Sequence, residues 1–179
     1  MTRVTLATFI LIAIVVISLA SAAEAQDRGG QAKPARDEDD HILVLELGAV
    51  VEWEHAEGSL HGGGTVAIEV TPIENRLELE IGVTAVAADR VVEIPIDVLF
   101  KKPWRFSRTF EFMIGAGPEV VFESGPFHAP FWGVEAVLDF MFWPRKDIGW
   151  YVEPGYEITF RDGTSHHGLG IAAGLLIGR

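Results

Sequence analysis

From Leu43 onwards, apolar and polar residues alternate with a period of two, and this alternation returns eight times before the chain ends. Leu43, Leu45, Leu47, Ala49, Val51 and Trp53 form one set, and Glu46, Gly48, Glu52 and Glu54 the other. A helix would scatter both sets around its circumference, whereas a strand sorts them onto two faces. Val66, Ile68 and Val70 oppose Ala67, Glu69 and Thr71, and Leu77 to Ala85 oppose Glu78, Glu80, Gly82 and Thr84. Val92 to Phe100 set Pro95 and Asp97 on the other side, and Phe110 to Phe122 oppose Glu111, Gly115, Gly117 and Glu119. Val134 to Phe142 then face away from Glu135 and Asp139, Trp150 to Phe160 from Glu153 and Glu157, and Leu169 to Ile177 from Gly168, Gly170 and Gly174.

The expected breaks are His61-Gly62-Gly63-Gly64, Pro72 to Arg76, Ala88 to Arg90, Lys101 to Arg105, Trp143 to Asp147 and Arg161 to Gly163. An even strand count with both ends on one side predicts an all-β fold, an eight-stranded antiparallel up-and-down barrel over residues 41–179. An open sheet would leave apolar-faced edges free to pair with other copies. Pro95, Pro118 and Pro154 fall within strands and are expected to mark bulges.

The same pattern suits two barrels of opposite polarity. In one the apolar face meets lipid and the acids and glycines fill a narrow polar lumen. In the other, a soluble periplasmic lipocalin-like cup, the apolar face lines a site for a small apolar ligand. The transmembrane form is the expectation. The soluble form would show water a wall of Glu, Asp, Gly and Thr with no strand lysine or arginine. Trp53, Phe100, Trp104, Phe122, Phe142, Trp143, Trp150 and Phe160 also lie near strand ends, where interfacial girdles form.

The N-terminus supports export. A charged start at Arg3, an apolar run from Val4 to Ala20 and small residues at Ala23 and Ala25 read as a signal peptide over 1–25. An uncleaved membrane anchor is the alternative. Residues 26–40 hold almost nothing to bury and read as a polar, disordered tail. The chain has no cysteine, which excludes disulfides, thiolate metal sites and lipid attachment at cysteine. A net charge of −12 argues against nucleic acid as a partner. No sequence motif calls for a cofactor.

The segments Ile114 to Glu119, Asp139 to Pro144, Gly149 to Tyr156 and the closing Gly168 to Ile177 resemble small bacterial outer-membrane barrel proteins. The resemblance implies an outer-membrane location in a Gram-negative cell, a porin-like architecture and no defined activity. Outer-membrane lipid and, during biogenesis, the barrel assembly machinery would be the partners, and the protein would be a monomer. The chain departs from the family's usual aromatic last residue by ending Ile177-Gly178-Arg179.

Three constellations could carry chemistry. The first is the acidic face: Glu46, Glu69, Glu80, Asp97, Glu111, Glu135, Asp139 and Glu153, extended by Glu52, Glu78, Glu93, Glu119 and Glu157. In so narrow a barrel these carboxylates cannot all stay ionised without shared cations, unless they form only a hydrated filling. The second is histidine placement. His55, His61, His128, His166 and His167 are expected in loops at one end, where with Glu57, Glu123 and Asp162 they could hold zinc or copper. The third is Ser165-His166 beside Asp162, or Ser124 near His128, as a hydrolase. Neighbouring loop residues seldom meet that geometry, so the expectation is a non-catalytic barrel of structural, binding or assembly type with a divalent cation as its candidate ligand. Arg76, Lys101, Lys102, Arg105, Arg108, Arg145 and Lys146 are expected in the short turns at the other rim.

Overall fold

β-Branched and aromatic residues at every second position favour extended chain, and each strand finds its neighbour through a short connection. In a computed structural model, residues 43–55, 58–88, 91–124 and 129–178 are described. The segments read as signal peptide and polar tail, and His128, lie outside the described residues. The strands are β1 (Leu43–Glu54), β2 (Ser59–Ile73), β3 (Leu77–Ala88), β4 (Val91–Arg105), β5 (Phe110–Glu123), β6 (Phe131–Phe142), β7 (Ile148–Arg161) and β8 (Thr164–Gly178). Each pairs antiparallel with the next, and β1 closes on β8 from Val44 opposite Gly178 to Glu54 opposite Gly168. The sheet therefore has no edge. This is the eight-stranded antiparallel up-and-down barrel the alternation predicts.

The polarity is that of a transmembrane barrel. Leu47, Val66, Ile68, Ile81, Val83, Val134, Leu138, Ile171 and Leu175 all point outward and are exposed. A soluble cup would have this row inside, so the alternative architecture does not hold. Strands of 12 to 15 residues exceed the roughly 9–11 a tilted strand needs to cross a hydrocarbon core. An outward aromatic ladder crosses β4 to β7 at the end where β1 begins and β8 ends. Trp104 stacks on Phe112 at 5.8 Å, and Phe142 on Trp150 at 4.0 Å. Trp143, expected in that girdle, instead turns inward and is buried.

Several expected breaks lie inside strands. The glycine-rich segment His61 to Gly64 belongs to β2, and Lys101 to Arg105 to β4. The latter stretch keeps the period of two, with Lys101 and Pro103 inward and Lys102 and Trp104 outward. The real turns are Glu74 to Arg76, with Asn75 at φ 58°, and Phe106 to Thr109. Asp162 and Gly163, at φ 50° and 78°, form a two-residue hairpin, which suits the twist of the flanking strands.

Pro95, Pro118 and Pro154, expected to mark bulges, do not slip the register. Around Pro95 the β3–β4 pairing resumes from Val83–Ile96 to Val86–Glu93 in the same register. Pro118 and Pro154 interrupt β4–β5 and β6–β7 in the same way. Each proline keeps its partner on its other side, at Val121, Val134 and Ile171. The missing N–H thus costs one rung and no shift. The register shift that does occur lies between Val70 and Ile73, beside Pro72.

Tight curvature explains some of the glycines. A Cβ on Gly63, Gly117 or Gly174 would strike a neighbouring strand's carbonyl, that of Ala85, Val98 or Leu47. Replacing Gly117 with valine should therefore cost about 1–3 kcal/mol of unfolding free energy. The readout is a lower urea midpoint for the barrel refolded in lipid vesicles. Gly62→Ala is the control: an added carbon there meets nothing within 4 Å, and the midpoint should stay put.

Candidate functional site

The inward face of each strand is set by the alternation that sends its apolar residues outward. Glu46, Glu69, Glu80, Asp97, Glu111 and Asp139 are buried in the lumen, and Glu135 and Glu153 are half-buried on the same side. Oxygens of Glu46, Glu69, Glu80 and Asp139, from four strands, lie within 4.8 Å of one another.

Lys101 sits among them. Its side chain is fully buried, its Nζ lies 3.0 Å from Asp139 Oδ2, 2.7 Å from Glu153 Oε2 and 3.8 Å from Glu69 Oε2, and it also pairs with Glu80. The expectation that no lysine alternates with the acids was wrong. Lys-Lys-Pro reads locally as a turn, but the period of two running on from Asp97 through Leu99 is the signal that places Lys101 inside. Its stem passes over Gly115, where a Cβ would stand 2.7 Å from Lys101 Cγ. The ammonium thus fills the cation's place among the carboxylates. Lys102, on the outer wall, reaches back to donate to the Asn75 carbonyl at 2.6 Å and covers the Trp104 ring. Arg105 also belongs to β4 and pairs with Glu111 at 3.5 Å. Arg76, Arg108, Arg145 and Lys146 do lie in the turns.

Towards the start of β1 and the end of β8 the lumen ends in an apolar floor. Val44, Met113, Met141, Trp143, Tyr151 and Leu176 are buried there as one cluster. Tyr151 lies across Gly48 and Trp143 across Gly149, so each large ring uses the space a side chain on the facing strand would take.

At the opposite end the lumen opens into a cavity of about 660 Å³. Glu52, Glu54, Glu93, Glu123 and Glu157 line it, together with His61, His166 and His167. Arg161 lines it too, clasping Glu123 through both guanidinium nitrogens and lying over the Phe131 ring at 5.3 Å. The histidines expected in loops are strand residues: His61 in β2, His166 and His167 in β8. His61 Nε2 meets Ser59 Oγ at 2.7 Å, and His166 Nδ1 meets Glu54 Oε1 at 3.3 Å. His167 bonds the Tyr156 hydroxyl at 2.7 Å. His55 does not join them; it packs edge-on against Trp53 on the outer wall. Among the described residues, the close-set group of possible metal ligands is the carboxylate set around Lys101, with no histidine in it.

The Ser165-His166-Asp162 arrangement is not assembled among the described residues. The ring nearest Ser165 Oγ, at 3.5 Å, belongs to His167 and not to His166, and Asp162 pairs with Arg161 at 3.9 Å. Ser124 Oγ accepts the Val92 N–H at 2.7 Å, and its expected partner His128 lies outside the described residues.

No protein-family model matches the chain, and no curated protein matches it in sequence. Its fold does match solved barrels. Neisserial surface protein A superimposes with a TM-score of 0.66 at 9% identity, over 76% of this chain and 97% of that one. The outer membrane protein OprG from Pseudomonas aeruginosa gives 0.57 at 9%, over 80% and 99%. A de novo designed transmembrane β-barrel gives 0.55 at 11%, over 78% and 98%. At such identities the likeness is one of fold: the chain is built as small outer-membrane barrels are built.

Proposed function

We propose that this protein is a non-catalytic outer-membrane barrel of the binding type that gathers small cations in its open acidic mouth and does not conduct them. In this reading the signal at 1–25 directs export, the Trp143 floor faces the periplasm and the mouth faces outward. Lipid is the partner of the outer wall, the assembly machinery acts during insertion, and the mature protein is a monomer. The mouth carries the reading. In a cavity of about 660 Å³, Glu52, Glu54, Glu93 and Glu157 face no lysine among the described residues, and Arg161 in the lining is already held by Glu123. A low-dielectric wall around charges of one sign focuses the field and concentrates counter-ions. His61 and His166 add imidazole nitrogens that suit zinc or copper. The buried floor and the Lys101 cluster favour a closed cup over a pore.

The deciding test of the binding reading is Zn²⁺ titration of the refolded barrel by calorimetry. Saturable binding is expected, weakened in Glu93→Gln/Glu157→Gln and in His61→Ala/His166→Ala. Absence of binding would refute the proposal. Unheated protein from the outer-membrane fraction should migrate differently from boiled protein. The same material in planar bilayers should show no stable channel steps, and open conductance would overturn the closed-cup reading.

The Lys101 cluster makes its own prediction. Lys101→Met leaves buried carboxylates without their cation and should lower unfolding free energy by about 3–5 kcal/mol. Adding Asp139→Asn should restore part of the loss, since it removes one of the stranded charges. Urea midpoints followed by tryptophan fluorescence would show both.

A further inference from the structure

Between the mouth and the Lys101 cluster lies a second cavity, small and lined by acids. We infer that it is a binding site for a partly hydrated hard divalent cation of the calcium or magnesium class, held by Asp97 and Glu119 with Glu135 beside them. The cavity holds about 50 Å³, room for an ion with one or two waters. Seven carboxylates line it: Glu52, Glu80, Asp97, Glu119, Glu135, Glu153 and Glu157. Two of these, Glu80 and Glu153, are bound to Lys101. The others have no basic residue beside them in the lining.

Two observations separate this site from a mere crowd of acids. Asp97 and Glu119 are 7% and 2% exposed, and Asp97 Oδ1 and Glu119 Oε1 have no hydrogen-bond partner among the described residues. A buried carboxylate oxygen without a donor is costly unless a proton or a cation meets it, and a cation can serve several at once. The second observation is the backbone opposite each acid. A Cβ on Gly82 would stand 2.5 Å from Asp97 Oδ2, one on Gly133 2.5 Å from Glu119 Oε1, and one on Gly155 2.9 Å from Glu135 Oε1. Three glycines on neighbouring strands thus leave the seats in which three carboxylates rest.

The donor set selects the ion. The polar side chains lining the cavity are carboxylates and the Thr65–Thr84 hydroxyl pair, joined at 2.9 Å, with no imidazole among them. All-oxygen ligands suit calcium and magnesium, and an ion that keeps part of its water fits acids that surround a space without closing on one point. Glu52, Pro95 and Glu157 line both this cavity and the mouth, so the ion has a route in. The site rests on the reading that the mouth admits cations, and not on the rim histidines.

Ca²⁺ and Mg²⁺ titrations of the refolded barrel, read by calorimetry and by the urea midpoint, test the inference. One ion should bind per chain with a saturable rise in midpoint. Asp97→Asn/Glu119→Gln should weaken binding about tenfold or more. That variant loses only charge and keeps shape, so a retained heat-dependent gel shift would show that it still folds. Gly133→Ala, which changes no charge, should weaken binding by pushing Glu119 from its seat. His61→Ala/His166→Ala should leave Ca²⁺ binding intact even if zinc binding is lost. The inference fails if neither ion binds saturably, or if Asp97→Asn/Glu119→Gln binds as the parent does. Ca²⁺ binding without any Zn²⁺ binding would sink the rim reading and leave this site standing.

Discussion

Everything in this molecule depends on a hydrogen-bond ladder that has no end. Hydrocarbon offers no partner to a backbone N–H or C=O, so a chain that crosses it in strands must satisfy each group from a neighbouring strand. The pairing of β1 with β8 achieves this, and it has side-chain consequences. Once the sheet closes, one face of every strand meets lipid and the other meets the same narrow interior. The exposed belt around Ile68, Ile81, Val134 and Ile171 and the acid-filled lumen are two results of one closure.

A closed eight-stranded sheet leaves space for side chains but not for large ones on every strand. The lumen is packed by pairing bulk with absence. Tyr151 lies over Gly48, Lys101 over Gly115, Trp143 over Gly149, Asp97 against Gly82 and Glu119 against Gly133. The inward glycines are therefore part of the packing, each shaped to a particular neighbour across the ladder. The same rule fills the floor with apolar bulk and lets the lumen widen towards the mouth, where side chains at the rim stand apart.

Fold class and facing were legible because the period of two is long-range and redundant. Strand bounds could be misread by several residues, as in β2 and β4, and the closure would still follow from the strand count. Local chemistry was less legible. Lys101-Lys102-Pro103 and His61-Gly62-Gly63-Gly64 have turn composition, yet both are strand, because the ladder around them outweighs local preference. That misreading hid the lysine at the centre of the acids and placed His61 in a loop, while His166 and His167 were missed because β8 begins at Thr164 and not at Leu169. Trp143 was assigned to a girdle by its position at a strand end, whereas the space above Gly149 draws it inside. The acids on the inward face were found by alternation alone. Which of them sit close to which required register across strands, which composition does not carry.

The cluster around Lys101 draws its members from opposite walls: Glu69 from β2, Glu80 from β3, Asp139 from β6 and Glu153 from β7, with the lysine on β4. No hairpin contains the whole set: β3–β4 brings only Glu80 to Lys101. A β3–β4 hairpin in a bilayer would pair Lys101 with Glu80 alone, while Asp139 and Glu153 on β6 and β7 would face a medium that does not solvate them. Insertion and closure are thereby coupled: an incomplete sheet leaves carboxylates apart from the ammonium, and the closed barrel is the first species in which Glu69, Glu80, Asp139 and Glu153 all meet it.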